Sequence, residues 1–89
     1  AFQRDLDERR LADRTMVMAW SEFGRRVAEN GSAGTDHGRG NTVFLLGNAV
    51  NGGTFYGDAP NLGILEDGDL PVHIDFRSVY WTLIQDWLG

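Results

Sequence analysis

Apolar and charged positions in the first twenty residues follow a pattern that predicts a helix and then a strand. Phe2, Leu6 and Leu11 recur at roughly helical spacing among charged residues, which predicts an amphipathic surface helix over residues 1–12. Residues 15–20, TMVMAW, are apolar on both alternating faces, as in a strand buried on both sides of a parallel α/β sheet. A helix joined to such a strand by a short polar link is half of a β-α-β unit.

The middle of the chain is predicted to hold one more strand between polar, glycine-rich segments. Residues 30–41 contain too many glycines and polar residues for anything but a loop. Residues 42–47, TVFLLG, form a second β-prone run. The turn signal NGG at residues 51–53 predicts a small hairpin or bulged excursion, and residues 58–71, which contain both prolines, are predicted to be a surface loop.

The closing segment, DFRSVYWTLIQDWLG at residues 75–89, has the pattern of a capped amphipathic helix. Asp75 is a plausible N-cap and Gly89 lies where a helix C-cap belongs. Trp81 and Trp87 are expected in a core or an interface. An apolar stripe at helical spacing is formed by Val79, Tyr80, Leu83, Trp87 and Leu88.

Length narrows the range of possible functions. A chain of 89 residues allows one small domain with a marginal core, because such a chain buries roughly 60–65% of its unfolded surface. A full enzyme is not expected to fit in this length. The sequence also starts at Ala1 with a helix already under way, since no capping residue precedes Phe2. We therefore expect residues 1–89 to be a single partial domain, a fragment of a larger one.

Charge and composition exclude several classes of function. The net charge is −5 and all eight cationic residues are arginines, which disfavours a nucleic-acid binder because phosphate affinity needs a basic face. The absence of cysteine excludes a disulfide scaffold, thiolate chemistry and a zinc finger. No apolar run approaches the about 20 residues of a membrane span.

The segment GSAGTDHGRGN, residues 31–41, places Asp36 beside His37 on a permissive backbone. Carboxylate and neutral imidazole are the usual ligands of zinc, manganese or iron. Neighbouring side chains of extended backbone point apart, so one ion would require a turn here, or the two residues would serve two ions. Alternatively, Asp36 makes an Asx turn that satisfies loop amides.

Two residues of the segment SEFGRR, 21–26, are also candidates. Glu22 comes soon after the predicted strand, at a position where a metal ligand or general base could lie. Alternatively, it is a first-turn acidic residue of a short helix capped by Ser21, where its charge is favourable. Arg25 could bind a phosphate or sulfate. Alternatively, it could form an ion pair with Glu29 at i,i+4 spacing, and the spacing alone slightly favours the ion pair. His73 between apolar neighbours is expected to be a hydrogen-bonded packing residue.

Several motifs together resemble a known family. The segments SEFGRR, ENGSAGTDHG, FLLGNAVNGG, YGDAP and IDFRSVYWTLIQDWLG look like the carboxyl-terminal part of the bacterial domain-of-unknown-function family 1501. Its members are generally several hundred residues long, are exported with a twin-arginine signal, and are grouped with the alkaline phosphatase and sulfatase superfamily. The resemblance implies an α/β fragment of an alkaline-phosphatase-like α/β/α sandwich: helix, buried strand, glycine-rich loop, strand or hairpin, and C-terminal helix.

The resemblance also implies a metal site at the carboxyl ends of the sheet strands, with TMVMAW among those strands. Superfamily members often have Ser/Thr-Asp-His-Gly after a strand, and this chain offers two partial matches, SEFG at 21–24 and TDHG at 35–38. Phe23 occupies the imidazole position in the first. The implied ligands of a divalent ion such as zinc, calcium or manganese are Glu22, Asp36 and His37.

The function implied is an exported, periplasmic or extracellular hydrolase of phosphate or sulfate esters, acting on a small-molecule or polysaccharide substrate. Arg25 and Asn30 would stabilise an oxyanion or support the ligands, and the Ser or Thr nucleophile would lie upstream of these residues. The fragment alone is expected to be inactive and poorly stable. The alternative is a non-catalytic carbohydrate-binding or cell-surface module on the same fold.

Overall fold

A computed structural model describes all residues from Ala1 to Gly89. The chain forms a small α/β structure with two helices and two separate antiparallel sheets of two strands each. It divides into two compact units, Ala1–Trp20 with Val43–Phe55 and Ser21–Thr42 with Tyr56–Gly89. The elements are α1 (Phe2–Glu8), a 3-10 turn (Ala12–Arg14), β1 (Val17–Ala19), β2 (Gly24–Glu29), β3 (Thr35–Gly38), β4 (Phe44–Leu46), α2 (Phe76–Thr82) and a π-helical turn (Leu83–Trp87).

The first unit confirms the amino-terminal helix and the two predicted strands, but not the parallel sheet expected for residues 15–20. Strand β1 pairs antiparallel with β4, in the register Val17 with Leu46 and Ala19 with Phe44. The expectation of a strand within a parallel sheet is therefore wrong for this pair. β1 is only half-buried, because a two-stranded ribbon has no neighbouring strand on its outer edges and no second layer on its exposed side.

The second unit overturns two local predictions. Residues after Ser21 were expected to begin a short helix in one interpretation, but Gly24–Glu29 is strand β2. The predicted loop over residues 30–41 contains strand β3, which is the TDHG sequence itself. β2 and β3 form an antiparallel hairpin with a register irregularity between Arg25 and Glu29.

Close backbone approach explains why glycine-rich, polar sequence forms this hairpin. A Cβ atom placed on Gly24 would lie 2.5 Å from the carbonyl oxygen of Gly40. The amide of Arg25 donates to the Gly40 carbonyl at 2.8 Å, and the Gly40 amide donates back to Arg25 at 3.2 Å. These strands are thus stabilised by backbone hydrogen bonds at positions where a side chain would not fit.

The segment that connects β4 to α2 is loop along most of its length. Of the small hairpin or bulged excursion predicted around residues 51–53, the hairpin is wrong, because Thr54–Tyr56 form no strand and Phe55 is 98% exposed. The surface loop over residues 58–71 is confirmed, with one addition. A tight two-residue turn at Asp67 and Gly68, both with positive φ, closes a bridge between Glu66 and Asp69.

Helix α2 confirms the predicted capping. The Asp75 carboxylate accepts a hydrogen bond of 2.9 Å from the Arg77 amide, and its side-chain contact with the Arg77 guanidinium, together with that amide, lowers the pKa of Asp75 to about 2. Gly89 follows the helical turns with φ of +76°, the left-handed conformation that favours glycine after a helix end. None of the helices is long and apolar enough to cross a membrane.

Very little of the apolar surface is buried. Ala12 is the one buried apolar residue, and no large side chain is fully buried. Phe2, Phe44, Trp81 and Leu88 are each more than half exposed. The marginal core expected from the length is confirmed, so the structure depends on backbone pairing and polar contacts more than on hydrophobic packing.

The contact at Gly24 makes a first prediction. Gly24→Ala is expected to lower the free energy of unfolding by about 1–3 kcal/mol, because the new methyl group overlaps the Gly40 carbonyl. Gly31→Ala is the matched control, since no atom lies within 4 Å of a Cβ at that position. Urea unfolding of both variants measures the difference, and equal effects of the two substitutions would contradict the assigned strand contact.

Candidate functional site

The candidate residues of the sequence analysis lie on or beside the β2–β3 hairpin. Arg25 is on β2, Asp36 and His37 are on β3, and Asn30 begins the loop between the strands. Glu22 lies in the bend before β2. The hairpin therefore connects these residues, but it does not bring them all to one point.

His37 is fixed by an aromatic contact rather than by a hydrogen-bonding partner. Its ring stacks on Phe23 with the centroids 3.6 Å apart and the planes at 15°. The central carbon of the Arg25 guanidinium lies 5.1 Å from the centroid of the same Phe23 ring, within the range of a cation–π contact. Phe23, which replaces an imidazole in the family comparison above, thus supports the imidazole of the second motif.

Arg25 belongs to the same cluster and does not pair with Glu29. Its Nη1 donates to the carbonyl oxygen of Thr35 at 2.7 Å. Residues four apart in an extended strand are about 13 Å apart, so the ion pair that helical spacing favoured is wrong. Arg25 and His37 are instead cross-strand neighbours in the hairpin register.

Asp36 faces a different set of partners from His37. Its Oδ1 accepts a hydrogen bond of 2.9 Å from Nδ2 of Asn30. The Asn30 Oδ1 in turn accepts from the amides of Ser32 and Gly34 at 2.9 and 3.2 Å. Asn30, rather than Asp36, makes the turn that satisfies the loop amides, and it also orients the Asp36 carboxylate.

The three implied metal ligands are not gathered around one position. Asp36 and His37 are consecutive residues of an extended strand, so their side chains leave it in opposite directions. Glu22, Asp36 and His37 are all solvent-exposed. No group of three or more His, Cys, Asp or Glu side chains in the structure is arranged to hold a metal ion.

His73, expected to be a packing residue, is exposed and pairs with a carboxylate. Its Nδ1 lies 3.4 Å from Oδ2 of Asp58. This pair joins two positions of the long loop that precedes α2 and is distant in sequence from Phe23 and His37. His73 therefore serves as a natural comparison for His37, since the chain has just these two histidines.

Asp69 is a residue that the sequence analysis missed. The residue is only 8% exposed, and it is the one buried charged residue of the chain. Both carboxylate oxygens lie 3.1 Å from the Arg39 amide nitrogen, and Oδ1 also accepts from the Leu70 amide at 2.8 Å. The local signal was the turn dipeptide Asp67-Gly68, but nothing local indicated the partner 30 residues earlier.

The surroundings of Asp69 favour its ionised form. The hydrogen bond from the Arg39 amide is the largest influence and holds the pKa of Asp69 below its ordinary value of 3.8. Burial opposes this shift, whereas the Leu70 amide and the charges of Arg26 and Arg39 lower the pKa further. The ionised carboxylate is therefore stabilised where it meets the end of β3.

Comparison with known proteins gives one finding. The model of a family described as "Protein of unknown function (DUF1501)" matches residues 1–78, which include both strands of the hairpin and the Asp69 turn. Neither the curated proteins nor the solved structures gave a match to this chain.

The lowered pKa of Asp69 predicts a local acid-dependent change. Because the folded-state pKa lies below 3.8, the carboxylate contributes its full stabilisation above about pH 4 and loses it as the pH falls through the lowered pKa. The NMR shift of the Arg39 amide proton is expected to move upfield over that acid window, as its acceptor becomes neutral.

Asp69→Asn is the control for this titration, since the amide side chain does not ionise. The Arg39 amide shift of that variant is expected to stay constant over the same pH range. A wild-type Arg39 amide that does not titrate with Asp69 would show that the hydrogen bond is absent in solution.

Proposed function

The chain belongs to the DUF1501 family, and from this membership and the geometry of the hairpin we propose that it is the metal-site segment of an exported hydrolase. The substrates would be phosphate or sulfate esters, of a small molecule or a polysaccharide. The parent domain would be an alkaline-phosphatase-like α/β/α sandwich, with its nucleophilic hydroxyl outside these 89 residues. Divalent ions, such as zinc, calcium or manganese, would polarise the ester oxygens.

The observation that carries this proposal is the placement of His37. Its imidazole is exposed, yet the stack on Phe23 at 3.6 Å fixes the plane of the ring. Metal-binding histidines are usually oriented by a hydrogen bond from the second ring nitrogen; here the stack on Phe23 restricts the ring instead, which lowers the entropy that the side chain would lose on binding an ion. His37 thus combines a restricted orientation with access for an ion.

Asp36 fits the same chemistry on the other side of β3. The Asn30 amide holds one carboxylate oxygen at 2.9 Å, as outer-shell partners hold ligating carboxylates in metal sites. Because Asp36 and His37 point in opposite directions, we assign them to separate ions. Glu22, exposed in the bend before β2, would contribute a further oxygen ligand, and the remaining ligands would come from other parts of the protein.

Arg25 is suited to bind the anionic oxygens of the ester. One guanidinium nitrogen is used by the Thr35 carbonyl, which anchors the side chain, and the side chain is otherwise exposed. A guanidinium has five N–H donors, so this anchor leaves donors for a phosphoryl or sulfuryl group. The Phe23 contact would hold Arg25 beside His37 while the ester binds.

A second function is favoured by the exposed aromatic side chains. Phe55 is 98% exposed in a loop, and exposed rings of this kind can stack on the apolar faces of sugars. This observation supports a non-catalytic carbohydrate-binding or cell-surface module. The two proposals differ in what they require, since the module needs Phe55 and no metal.

The test uses the full-length protein that contains this segment, with bound metal quantified and hydrolysis of aryl phosphate and aryl sulfate measured. His37→Ala and Asp36→Ala are each expected to weaken metal binding by more than the about 10–100-fold seen when outer-shell partners are removed. Glu22→Ala is expected to change metal content in the same direction. Arg25→Ala is expected to raise KM with the metal content unchanged.

His73→Ala is the matched control, because it removes the other exposed imidazole of the chain. It is expected to leave metal content and hydrolysis at the wild-type level. Wild-type metal content in both His37→Ala and Asp36→Ala would refute the metal assignment. A metal-free wild-type protein whose polysaccharide binding is lost in Phe55→Ala would establish the second function instead.

A further inference from the structure

Asp69 is a buried charged group that the proposed chemistry does not use. The other acidic residues named at the site, Glu22 and Asp36, are exposed, whereas Asp69 is only 8% exposed. Burying an ionised carboxylate is costly unless hydrogen bonds satisfy it. Asp69 meets that requirement with the amides of Arg39 and Leu70, so its placement is specific.

The contact between Asp69 and Arg39 acts on the end of strand β3. Arg39 is the residue directly after β3, and His37 is two positions before it. A Cβ on Gly38 would lie 2.8 Å from Oδ2 of Asp69 and 2.7 Å from the Arg26 backbone nitrogen. The carboxylate thus packs against Gly38 and fixes the peptide group that joins Gly38 to Arg39.

Further contacts tie the Asp69 turn to both strands of the hairpin. Arg26 on β2 donates from Nη2 to the Asp67 carbonyl oxygen. The Arg39 guanidinium forms a salt bridge of 3.2 Å with Glu66. The Glu66–Asp69 turn is itself closed by reciprocal backbone hydrogen bonds of 2.8 and 3.0 Å. A rigid turn is therefore fastened to β2 by Arg26 and to the end of β3 by Asp69.

We propose that Asp69 is a positioning residue for His37, which acts through the Arg39 amide and Gly38 to hold the imidazole against Phe23. This proposal rests on the proposed function, because the placement of His37 matters there as a metal ligand. Asp69 touches neither His37 nor the proposed ions. Its role is to set where the end of β3 lies relative to Phe23, just before β2.

Both oxygens of the carboxylate are needed for this role. The Arg39 amide lies at equal distance from the two oxygens, and one of them also binds the Leu70 amide. Hydrogen bonds to an ionised acceptor are roughly twice as strong as those between neutral groups. Asparagine at this position offers one neutral acceptor, and alanine offers none, so the two substitutions should weaken the contact in steps.

The test is NMR of the imidazole C–H groups of His37 and His73, the two histidines of these 89 residues, in the metal-free full-length protein. The two sets of resonances are identified by their loss in His37→Ala and His73→Ala. The His37 ring protons are expected upfield of their random-coil positions, because they stack on the Phe23 ring. Asp69→Asn is expected to lose part of that displacement and Asp69→Ala most of it. The His73 resonances, which report the separate pair with Asp58, are expected to stay unchanged in Asp69→Asn.

Asp67→Asn is the matched control, a change from carboxylate to amide in the same turn at an exposed side chain. It is expected to leave the His37 displacement at the wild-type value, since Asp67 engages Arg26 through its backbone carbonyl. If Asp69→Ala unfolds the chain, Asp69→Asn decides the outcome. An unchanged His37 displacement in Asp69→Asn, or no displacement in the wild type, would overturn the proposal.

Metal binding by the full-length protein separates this proposal from the proposed function. Asp69→Asn is expected to weaken metal binding by less than the about 10–100-fold loss that follows removal of a group bonded directly to a ligand, because Asp69 does not touch His37. If His37 moves in the NMR experiment while His37→Ala leaves metal content unchanged, the positioning role stands and the metal function fails. If His37→Ala loses metal but Asp69→Asn leaves the imidazole in place, the metal function stands and the positioning role fails.

Discussion

The second unit depends on the hydrogen bonds between one buried carboxylate and one backbone amide. Asp69 binds the Arg39 amide with both oxygens at 3.1 Å, and this contact fastens a turn to the strand that carries Asp36 and His37. With no large side chain fully buried, hydrophobic packing cannot fix the position of that strand. A charge-assisted hydrogen bond, which has a preferred geometry, fixes the position of the strand end instead.

The parts of the fold that could be predicted from sequence are those set by local physical chemistry. Helix α2 follows from an N-capping Asp75, an apolar stripe at helical spacing and a terminal Gly89, all within one short segment. Strands β1 and β4 follow from continuous apolar runs. Their antiparallel pairing could not be predicted in the same way, because buried apolar runs alone do not distinguish parallel from antiparallel neighbours.

The hairpin escaped prediction because its strands lack the usual alternation of apolar and polar residues. Strand β3 is Thr-Asp-His-Gly, and the glycines at 24, 38 and 40 allow the backbones to approach where side chains would collide. Such strands have the composition of a loop. Asp69 was missed for a different reason, since its partner is distant in the chain and only the folded structure brings the two together.

In the candidate site too, the sequence identified residues but did not predict how they are arranged. The sequence singled out Asp36, His37, Arg25 and Asn30, and the structure places all four on one hairpin, in two pairs with different partners. Glu22 lies in the bend before β2, next in sequence to Phe23. The role of Phe23 was not predicted, because its stack on His37 joins residues of two different strand ends that only the folded hairpin brings together.

The most direct test of the central claim is a scalar coupling measured across the Asp69–Arg39 hydrogen bond. In the chain labelled with ¹⁵N and ¹³C, we predict a coupling between the Arg39 amide nitrogen and the Asp69 side-chain carboxyl carbon at neutral pH. The backbone hydrogen bond from Arg25 to Gly40 provides the reference coupling in the same spectrum. Detection of the reference coupling without the Arg39–Asp69 coupling would contradict the account.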